Sequence, residues 1–278
     1  MIGGALGDAI GAPFENQTKP EFFVPAHLSI TDDTQLTLAT CEAILDSKTV
    51  DSESIAARMA DWFRNRRVTG LGSSTLKALT ELSAGGHWAY SGAQGEKAAG
   101  NGAANRIAPL VFFLDPHVES DRQTIRDVSR ITHRNDEAYV GALAVLLSIK
   151  HARNGNTIDY LISQLPDSAF RDRLIEIKTN KLGMTKLAER HPPSGYVVDS
   201  VPLSILAFVK CADFLETIKR IIECGGDTDT TAAIFGNIYG ATYGIERLPL
   251  NLANRLPEFK LINELATKLS KLELPEQQ

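Results

Sequence analysis

The chain has 278 residues, of which 43% are hydrophobic and 23% charged, and its formal net charge is −5 at pH 7. This composition is typical of a folded globular protein with a large core, and we expect a single domain over residues 1–278. The negative charge disfavours non-specific binding to nucleic acid or to an anionic membrane. The longest apolar run, residues 138–149, is too short to span a bilayer, and no signal-peptide pattern precedes it. A cytoplasmic protein is therefore expected.

Most of the sequence has the periodicity of α-helices. Apolar residues recur on one face over residues 36–44 and again over residues 55–63. Residues 138–149 are apolar on nearly all sides, which is typical of a helix in the middle of a bundle. Strand-like alternation is nearly absent, so the sequence predicts an all-α fold.

Glycines recur every fourth residue in the first helix-like stretch and in the last core stretch: Gly3, Gly7 and Gly11, then Gly236, Gly240 and Gly244. A glycine inside a helix costs up to about 1 kcal/mol relative to alanine. Two such rows therefore predict that backbones approach something closely, and the rows are candidates to pack on each other.

Three glycine-containing stretches, residues 68–75, 85–106 and 191–200, interrupt the helical pattern. Loops of that length inside a compact domain are usually functional or mobile. The C-terminal KLELPEQQ is predicted to be frayed. The three cysteines, Cys41, Cys211 and Cys224, are far apart in the sequence, and each lies in a segment with apolar periodicity. We therefore expect buried, reduced thiols without a disulfide or zinc role.

Two acidic segments, ITDDTQ at residues 30–35 and GGDTDTT at residues 225–231, each precede an apolar helix-like run. One interpretation is helix capping, for which Ser, Thr and Asp are preferred. A cap needs one such residue, however, and each segment supplies four: Thr31, Asp32, Asp33 and Thr34, then Asp227, Thr228, Asp229 and Thr230. The other interpretation is a metal site, because crowded carboxylates repel one another unless cations neutralise them. Oxygen donors without nearby His or Cys favour a pair of Mg²⁺ or Mn²⁺ ions.

Two further acids lie in GALGDAIGAPFEN near the N-terminus. Asp8 falls within the first helix-like stretch, and we interpret it as a buried, hydrogen-bonded structural acid. Glu15 follows Pro13, beyond the expected helix end. It is either a solvated charge or, if its loop folds over the acidic segments, a candidate general base.

Several other segments suit a ligand but also have ordinary structural interpretations. GLGSST would present the N–H groups of residues 72–74 at a helix N-terminus, which suits phosphate, although the same letters cap any helix. Asn101 in GNGAANR would bond a ligand, or its own backbone in a tight turn ahead of the helix IAPLVFFL. His133 and Tyr196 are equally compatible with capping or packing.

Taken together, six segments resemble the ADP-ribosylglycohydrolase family, which includes dinitrogenase reductase-activating glycohydrolase and the ADP-ribosyl-acceptor hydrolases. The segments are GALGDAIGAPFE, TDDTQLTLA, GNGAANRIAPL, THRNDEAYVGALAV, GYVVDSVPLSILAF and GGDTDTTAAIFGNIYGATYG. The TDDT and GGDTDT pair is the most specific part of the resemblance. It implies a compact, single-domain orthogonal helical bundle with two Mg²⁺ or Mn²⁺ ions at the base of a cleft that binds ADP-ribose.

The resemblance also implies roles for individual residues. One set of metal ligands matches Thr31, Asp32 and Asp33, and a second set matches Asp227, Asp229 and Thr230, with Asp229 as the bridge. Glu15 matches the glutamate of the family's mobile flap, and either Glu15 or Asp33 would accept the proton. The substrate-binding positions match Gly70, Gly72, Ser73, Ser74, Gly100, Asn101, Gly102, His133 and Tyr196. Asn105 departs from the methionine usual in the family, and residues 152–191 match no motif.

The activity that the resemblance implies is hydrolysis of the bond between ADP-ribose and a modified acceptor, in a protein expected to be a monomer. The acceptor stays open among arginine, serine, a nucleic-acid base and an O-acetyl ester. Two alternatives use the same residues. One is a catalytically silent ADP-ribose-binding or structural protein, and the other is a magnesium-dependent nucleotide phosphohydrolase.

Overall fold

Helices dominate the structure, a computed structural model that describes residues 1–155 and 157–272. The first eight are α1 (Ile2–Gly11), α2 (Asp32–Ser47), α3 (Ser52–Arg64), α4 (Ser73–Ser83), α5 (Trp88–Ser91), α6 (Gly102–Arg106), α7 (Glu119–Arg130) and α8 (Asp136–His151). The others are α9 (Thr157–Gln164), α10 (Ala169–Thr179), α11 (Met184–Arg190), α12 (Val197–Val209), α13 (Phe214–Cys224), α14 (Thr228–Tyr243), α15 (Leu250–Ala253) and α16 (Phe259–Ser270). Strands β1 (Ala93–Gln94) and β2 (His133–Arg134) form one short parallel pair. The all-α prediction is confirmed.

The core is built around helices that are buried over most of their length. In α8 every residue from Ala138 to Ser148 is buried, which confirms the prediction of a central helix. Every residue of α1 is also buried, as are residues 228–239 of α14. One continuous apolar cluster extends from Ile2 to Leu269. That continuity supports the expected single domain, which stays a prediction.

Helices α1 and α14 pack backbone to backbone. A Cβ atom added to Gly3 would lie 2.3 Å from the carbonyl oxygen of Gly236, and one added to Gly236 would lie 2.1 Å from the carbonyl oxygen of Gly3. The two glycine rows therefore do face each other here, as the sequence predicts. Only residues without side chains allow helix axes to approach this closely.

The prediction fails at the end of the second row. Gly244 has φ of 79° and lies beyond the last turn of α14, so it ends the helix instead of packing along it. Glycine is suited to this position because the left-handed conformation carries no Cβ penalty there. Gly240 lies in the helix, but an added Cβ would find its nearest neighbours at 3.8 Å, an ordinary contact.

The glycine-containing stretches are more ordered than the sequence predicts. Residues 85–106 hold α5, β1, a 3₁₀ turn at Glu96–Ala98 and α6, and the expected helix IAPLVFFL is a 3₁₀ segment, Ala108–Phe112. Pro109 lacks an N–H group and lies in the first turn of that segment. Residues 152–191, which match no motif, form a 3₁₀ turn followed by α9, α10 and α11. Most of the C-terminal stretch predicted to be frayed lies outside the described residues.

The cysteines are free, as expected, but the prediction that all three are buried is wrong for two of them. Cys41 is fully buried in α2, whereas Cys211 and Cys224 are only partly covered, since both lie at helix ends. None of the helices within the described part of the chain is long and apolar enough to cross a membrane.

Candidate functional site

The two acidic segments meet at the N-termini of α2 and α14. The Thr230 hydroxyl donates a hydrogen bond of 2.7 Å to Oδ2 of Asp33, although the two residues are 197 positions apart. Both side chains are buried, together with Asp229. The expectation that the segments are adjacent in space is therefore confirmed, and the close packing of α1 on α14 lies directly behind them.

Asp8 holds the start of α2 in place. Its carboxylate accepts hydrogen bonds from the backbone N–H of Thr31 at 3.2 and 3.1 Å and from that of Thr34 at 3.2 Å, and also accepts from the Thr34 hydroxyl. Asp8 is fully buried, and burial raises its pKa to about 6 against the lowering effect of these hydrogen bonds. The interpretation of Asp8 as a structural acid agrees with this geometry.

Capping accounts for only part of the acidic segments. The Thr31 hydroxyl caps α2 by accepting from the N–H of Asp33 at 3.3 Å. At α14 the residue in the cap position, Asp227, makes no such bond. Its Oδ2 accepts instead from Nδ2 of Asn101 at 2.7 Å, and the same Nδ2 lies 2.9 Å from Oγ of Ser200. The second segment thus directs its carboxylates away from its own helix.

The carboxylates in this cluster disfavour one another's ionisation. Burial, followed by the charge of Asp227, raises the pKa of Asp229 to about 9. Burial and then the charge of Asp8 raise the pKa of Asp32 to about 7. Burial and the charge of Asp229 hold the pKa of Asp33 well above its usual range. A nearby cation would relieve this repulsion and favour the charged forms.

The donor set suits a hard cation, but it does not form a closed coordination sphere. Oδ1 of Asp229 is buried and has no hydrogen-bond partner, so it is free to bind a cation. Around it are further carboxylate and hydroxyl oxygens, the ligands that Mg²⁺ and Mn²⁺ prefer. Within residues 1–155 and 157–272, however, no three His, Cys, Asp or Glu side chains are already arranged around a metal position.

A cavity of about 570 Å³ opens over the acidic cluster, a volume typical of small-molecule sites. All the residues that the sequence singles out as catalytic, metal-binding or substrate-binding line it. Glu15 reaches its edge on a loop joined to the second acidic segment: the N–H of Asn16 donates to Gly226 O at 2.8 Å, and Gln17 pairs with Gly226. Glu15 therefore lies beside the acids, and its loop is hydrogen-bonded in this conformation.

The opposite wall of the cavity consists of backbone and small residues. Helix α4 begins at Ser73, and its N-cap, Gly72, supplies no side-chain cap. Gly100 lies against His133, where an added Cβ would be 2.5 Å from Nε2. Burial and then the charge of Arg106 lower the pKa of His133 to about 3, so the imidazole is neutral at physiological pH. The N–H groups at the start of α4 can donate hydrogen bonds to an anion, and the neutral His133 adds no charge to this wall.

Sequence reasoning missed six lining residues: Asn16, Thr75, Glu96, Lys97, Ala99 and Gly195. Each lies within four positions of a residue that the sequence singles out, so proximity along the chain is the available signal. Arg106 was also missed. It is 1% exposed, and its guanidinium donates to Gly102 O at 2.8 Å and to Val128 O at 3.1 Å, which joins the glycine loop to the end of α7.

Comparison with known proteins agrees with this architecture. The family model described as ADP-ribosylglycohydrolase matches residues 1–278. The chain is 24% identical to the ADP-ribosyl-[dinitrogen reductase] glycohydrolase of Rhodospirillum rubrum, covering 98% of this chain and 93% of that protein. It is 26% identical to ADP-ribosylhydrolase ARH3 of Xenopus tropicalis, covering 98% and 94%. A solved structure titled ADP-ribosylglycohydrolase-related protein complex superposes with a TM-score of 0.73 at 26% identity, covering 98% and 95%.

Proposed function

This chain belongs to the ADP-ribosylglycohydrolase family, and from that premise we propose that it hydrolyses the glycosidic bond between ADP-ribose and a modified acceptor. The observation that carries the proposal is the meeting of two acidic segments at the base of one cavity, where Thr230 donates to Asp33. Hydrolysis at an anomeric carbon requires an oriented sugar, a positioned water and stabilised charge. The carboxylates on the floor of the cavity and the hydrogen-bond donors on its wall are suited to these tasks.

The carboxylates perform the proton transfer in this proposal. A water oxygen attacks the anomeric carbon of the ribose, and the bond from that carbon to the acceptor breaks. Asp33 or Glu15 takes the proton that the water loses, and the acceptor atom leaves with that proton, returned by the carboxylic acid directly or through bulk water, so that one water molecule is consumed per bond broken. Both carboxylates line the cavity, Asp33 at its buried base and Glu15 at its exposed edge.

The proposed metal ligands are Thr31, Asp32 and Asp33 from the first acidic segment and Asp227, Asp229 and Thr230 from the second. Two Mg²⁺ or Mn²⁺ ions held there would supply Lewis-acid polarisation of the ribose hydroxyls and the water. What supports this assignment is the unpartnered Oδ1 of Asp229 and the raised pKa values of its carboxylate neighbours. By neutralising the carboxylates that repel one another, the two ions would also stabilise the folded protein.

The test is release of ADP-ribose from a panel of defined acceptors modified on arginine, serine, a nucleic-acid base or an O-acetyl ester, with and without chelator. Nucleoside phosphates form a further arm. We expect at least one ADP-ribosylated acceptor to be cleaved in Mg²⁺ or Mn²⁺ and none after chelation. Hydrolysis of the nucleoside phosphates alone would favour the phosphohydrolase, and binding of ADP-ribose without any cleavage would favour the silent protein.

A variant pair locates the activity. Asp229→Asn keeps the shape of the side chain but removes one charge, so release of ADP-ribose should fall by at least 100-fold while the circular dichroism spectrum is unchanged. Asp167→Asn is the control, because the Asp167 side chain is 97% exposed and pairs only with Arg171. Full activity of Asp229→Asn would refute the assignment of the acidic cluster as the reaction site.

A further inference from the structure

The cavity has an unequal charge balance. Six acidic side chains line it, Glu15, Asp32, Asp33, Glu96, Asp227 and Asp229, against one basic side chain among the described residues, Lys97. The diphosphate of an ADP-ribosyl group carries two negative charges, and entry of such a ligand into an acidic cavity is unfavourable without local cations. Metal ions at the base would serve the ribose end. The diphosphate needs a further positive contact on the wall.

Lys97 is available for that contact. It is exposed, and its ammonium makes no ion pair or hydrogen bond to any residue in the described part of the chain. The neighbouring carboxylate of Glu96 lines the same cavity but does not bond to Lys97. A lysine ammonium is a flexible point charge with three donors, which suits a phosphate group.

The backbone under Lys97 is held firmly, so its side chain starts from a defined position. Gly95 O accepts from the N–H of Ala98 at 3.0 Å and from Nδ2 of Asn135 at 3.0 Å. Ala98 and Ala99 are buried, and Ala99 O accepts from the N–H of Val197 at 2.9 Å. The turn is therefore fixed to the N-termini of α8 and α12, while the side chain of Lys97 is exposed.

We propose that Lys97 binds the diphosphate of the ADP-ribosyl group together with the N-terminus of α4, which lines the same cavity. The inference rests on the proposed function, since it assigns a residue to the substrate of that reaction. Helix α4 contributes backbone N–H groups and the positive end of its dipole, and Lys97 contributes the full charge that the helix lacks. Lys97 thereby selects ligands that carry a diphosphate over those that carry only the nucleoside.

The experiment measures the Kd of ADP-ribose and of adenosine, in Mg²⁺, for the wild type, Lys97→Met and Lys97→Arg. Lys97→Met should weaken ADP-ribose binding by roughly 5- to 10-fold, leave adenosine binding unchanged and raise KM with little change in kcat. Lys97→Arg should restore most of the affinity. Lys77→Met is the control, because Lys77 pairs with Glu81 on the outer face of α4.

The outcomes separate the two proposals. If wild-type protein binds neither ADP-ribose nor an ADP-ribosylated acceptor, the proposed function fails. Alternatively, the wild type binds ADP-ribose, but Lys97→Met binds it equally well or loses as much affinity for adenosine as for ADP-ribose. Either result overturns the role of Lys97 and leaves the proposed function standing.

A second inference comes from an independent feature, a small cavity of about 10 Å³ that is lined in part by Thr34 of the first acidic segment. Asn105 and Asn237 line it, 2% and 5% exposed, and the Oδ1 atoms of both are buried without a hydrogen-bond partner. The amide of Asn237 lies flat against Gly4, where an added Cβ would be 2.2 Å from Oδ1. A buried amide oxygen without a donor is destabilising, because it has lost its hydrogen bonds to water and gained none in return.

We infer that one buried water molecule occupies this cavity and donates a hydrogen bond to each of the two amide oxygens. A space of roughly 10–15 Å³ holds a single water, and such a water needs two or more polar partners. The cavity is also lined by Thr34 and Thr37 of α2. The water therefore joins α6 and α14 at the junction where α2 carries the first acidic segment.

A high-resolution crystal structure of the wild type tests this directly. We expect one density peak at hydrogen-bonding distance from both Oδ1 atoms, about 2.7–3.2 Å. An empty cavity, or a direct bond between the two amides after one of them flips, would overturn the inference. Asn105→Met and Asn237→Leu should each displace the water and lower the Tm. The double variant should lower the Tm by less than the sum of the two single decreases. A strictly additive double variant would argue against a shared water.

Discussion

The approach of α1 to α14 leads to a prediction about stability at Gly7. A Cβ atom added there would lie 2.2 Å from the carbonyl oxygen of Ala232, 2.6 Å from its carbonyl carbon and 3.0 Å from the backbone nitrogen of Ala233. A carbon atom normally approaches a carbonyl oxygen no closer than about 3.3 Å. Gly7→Ala must therefore move the two helices apart by about 1 Å, because no side chain is present to rotate away.

Two opposing effects determine how much Gly7→Ala lowers the free energy of unfolding. Overpacking of a close-packed core costs roughly 1–3 kcal/mol, and sometimes more. The alanine recovers up to about 1 kcal/mol through its better helix propensity. Because every clashing atom at Gly7 belongs to the backbone, we expect an overpacking cost near the upper end of that range. The free energy of unfolding should then fall by about 2 kcal/mol in total. For a chain of this size, that corresponds to a fall in Tm of roughly 4–8 °C.

The matched control is Gly240→Ala, in the same pair of helices. Its added Cβ would have its nearest neighbours at 3.8 Å, so the substitution gains helix propensity without a clash. Thermal unfolding followed by circular dichroism should place the Tm of this variant at or slightly above that of the wild type. If Gly7→Ala is as stable as Gly240→Ala, the helices are not in backbone contact and the reasoning fails.

Three further outcomes are expected. Asn101→Ala removes the amide donor to Asp227, so ADP-ribose release should fall by about 10-fold, as measured by initial rates, with only a small change in Tm. Glu137 accepts the backbone N–H groups of Ala169 and Phe170 at 2.8 and 2.9 Å, so Glu137→Gln should cost about 1 kcal/mol in urea unfolding without loss of catalysis. Burial raises the pKa of the Cys41 thiol to about 12, so mass spectrometry should find Cys41 alkylated only after unfolding, and labelling of the native protein would contradict its burial.

Local sequence patterns were sufficient to predict the helices and to identify the acidic segments. An apolar run such as residues 138–149 predicts a buried helix because its periodicity depends only on neighbours along the chain. The excess of acids and hydroxyls beyond what capping needs was likewise visible in the sequence. The structure then shows that Asp227 is bonded by Asn101, not by its own helix.

Beyond the glycine rows and the acidic segments, the contacts between distant segments were not predictable in the same way. Lys97 lines the cavity because β1 pairs with β2 and fixes the turn that follows, a pairing of two residues per strand with no alternation to reveal it. The cavity between Asn105 and Asn237 depends on the packing of five helices, α1, α2, α6, α14 and α16. Burial at helix ends, which separates Cys41 from the other two cysteines, is equally a property of the tertiary structure.

The pairing of the first long helix with one of the last has a consequence for synthesis on the ribosome. The Thr228 hydroxyl donates to Gly11 O across 217 positions of sequence, and α1 is buried almost wholly by partners of this kind. At about 5–20 residues per second, translation leaves the apolar α1 without its partner for roughly 10–45 s. During that interval the nascent chain exposes an apolar segment that a chaperone could bind, and the acidic cluster can form only after α14 has emerged from the exit tunnel of the ribosome.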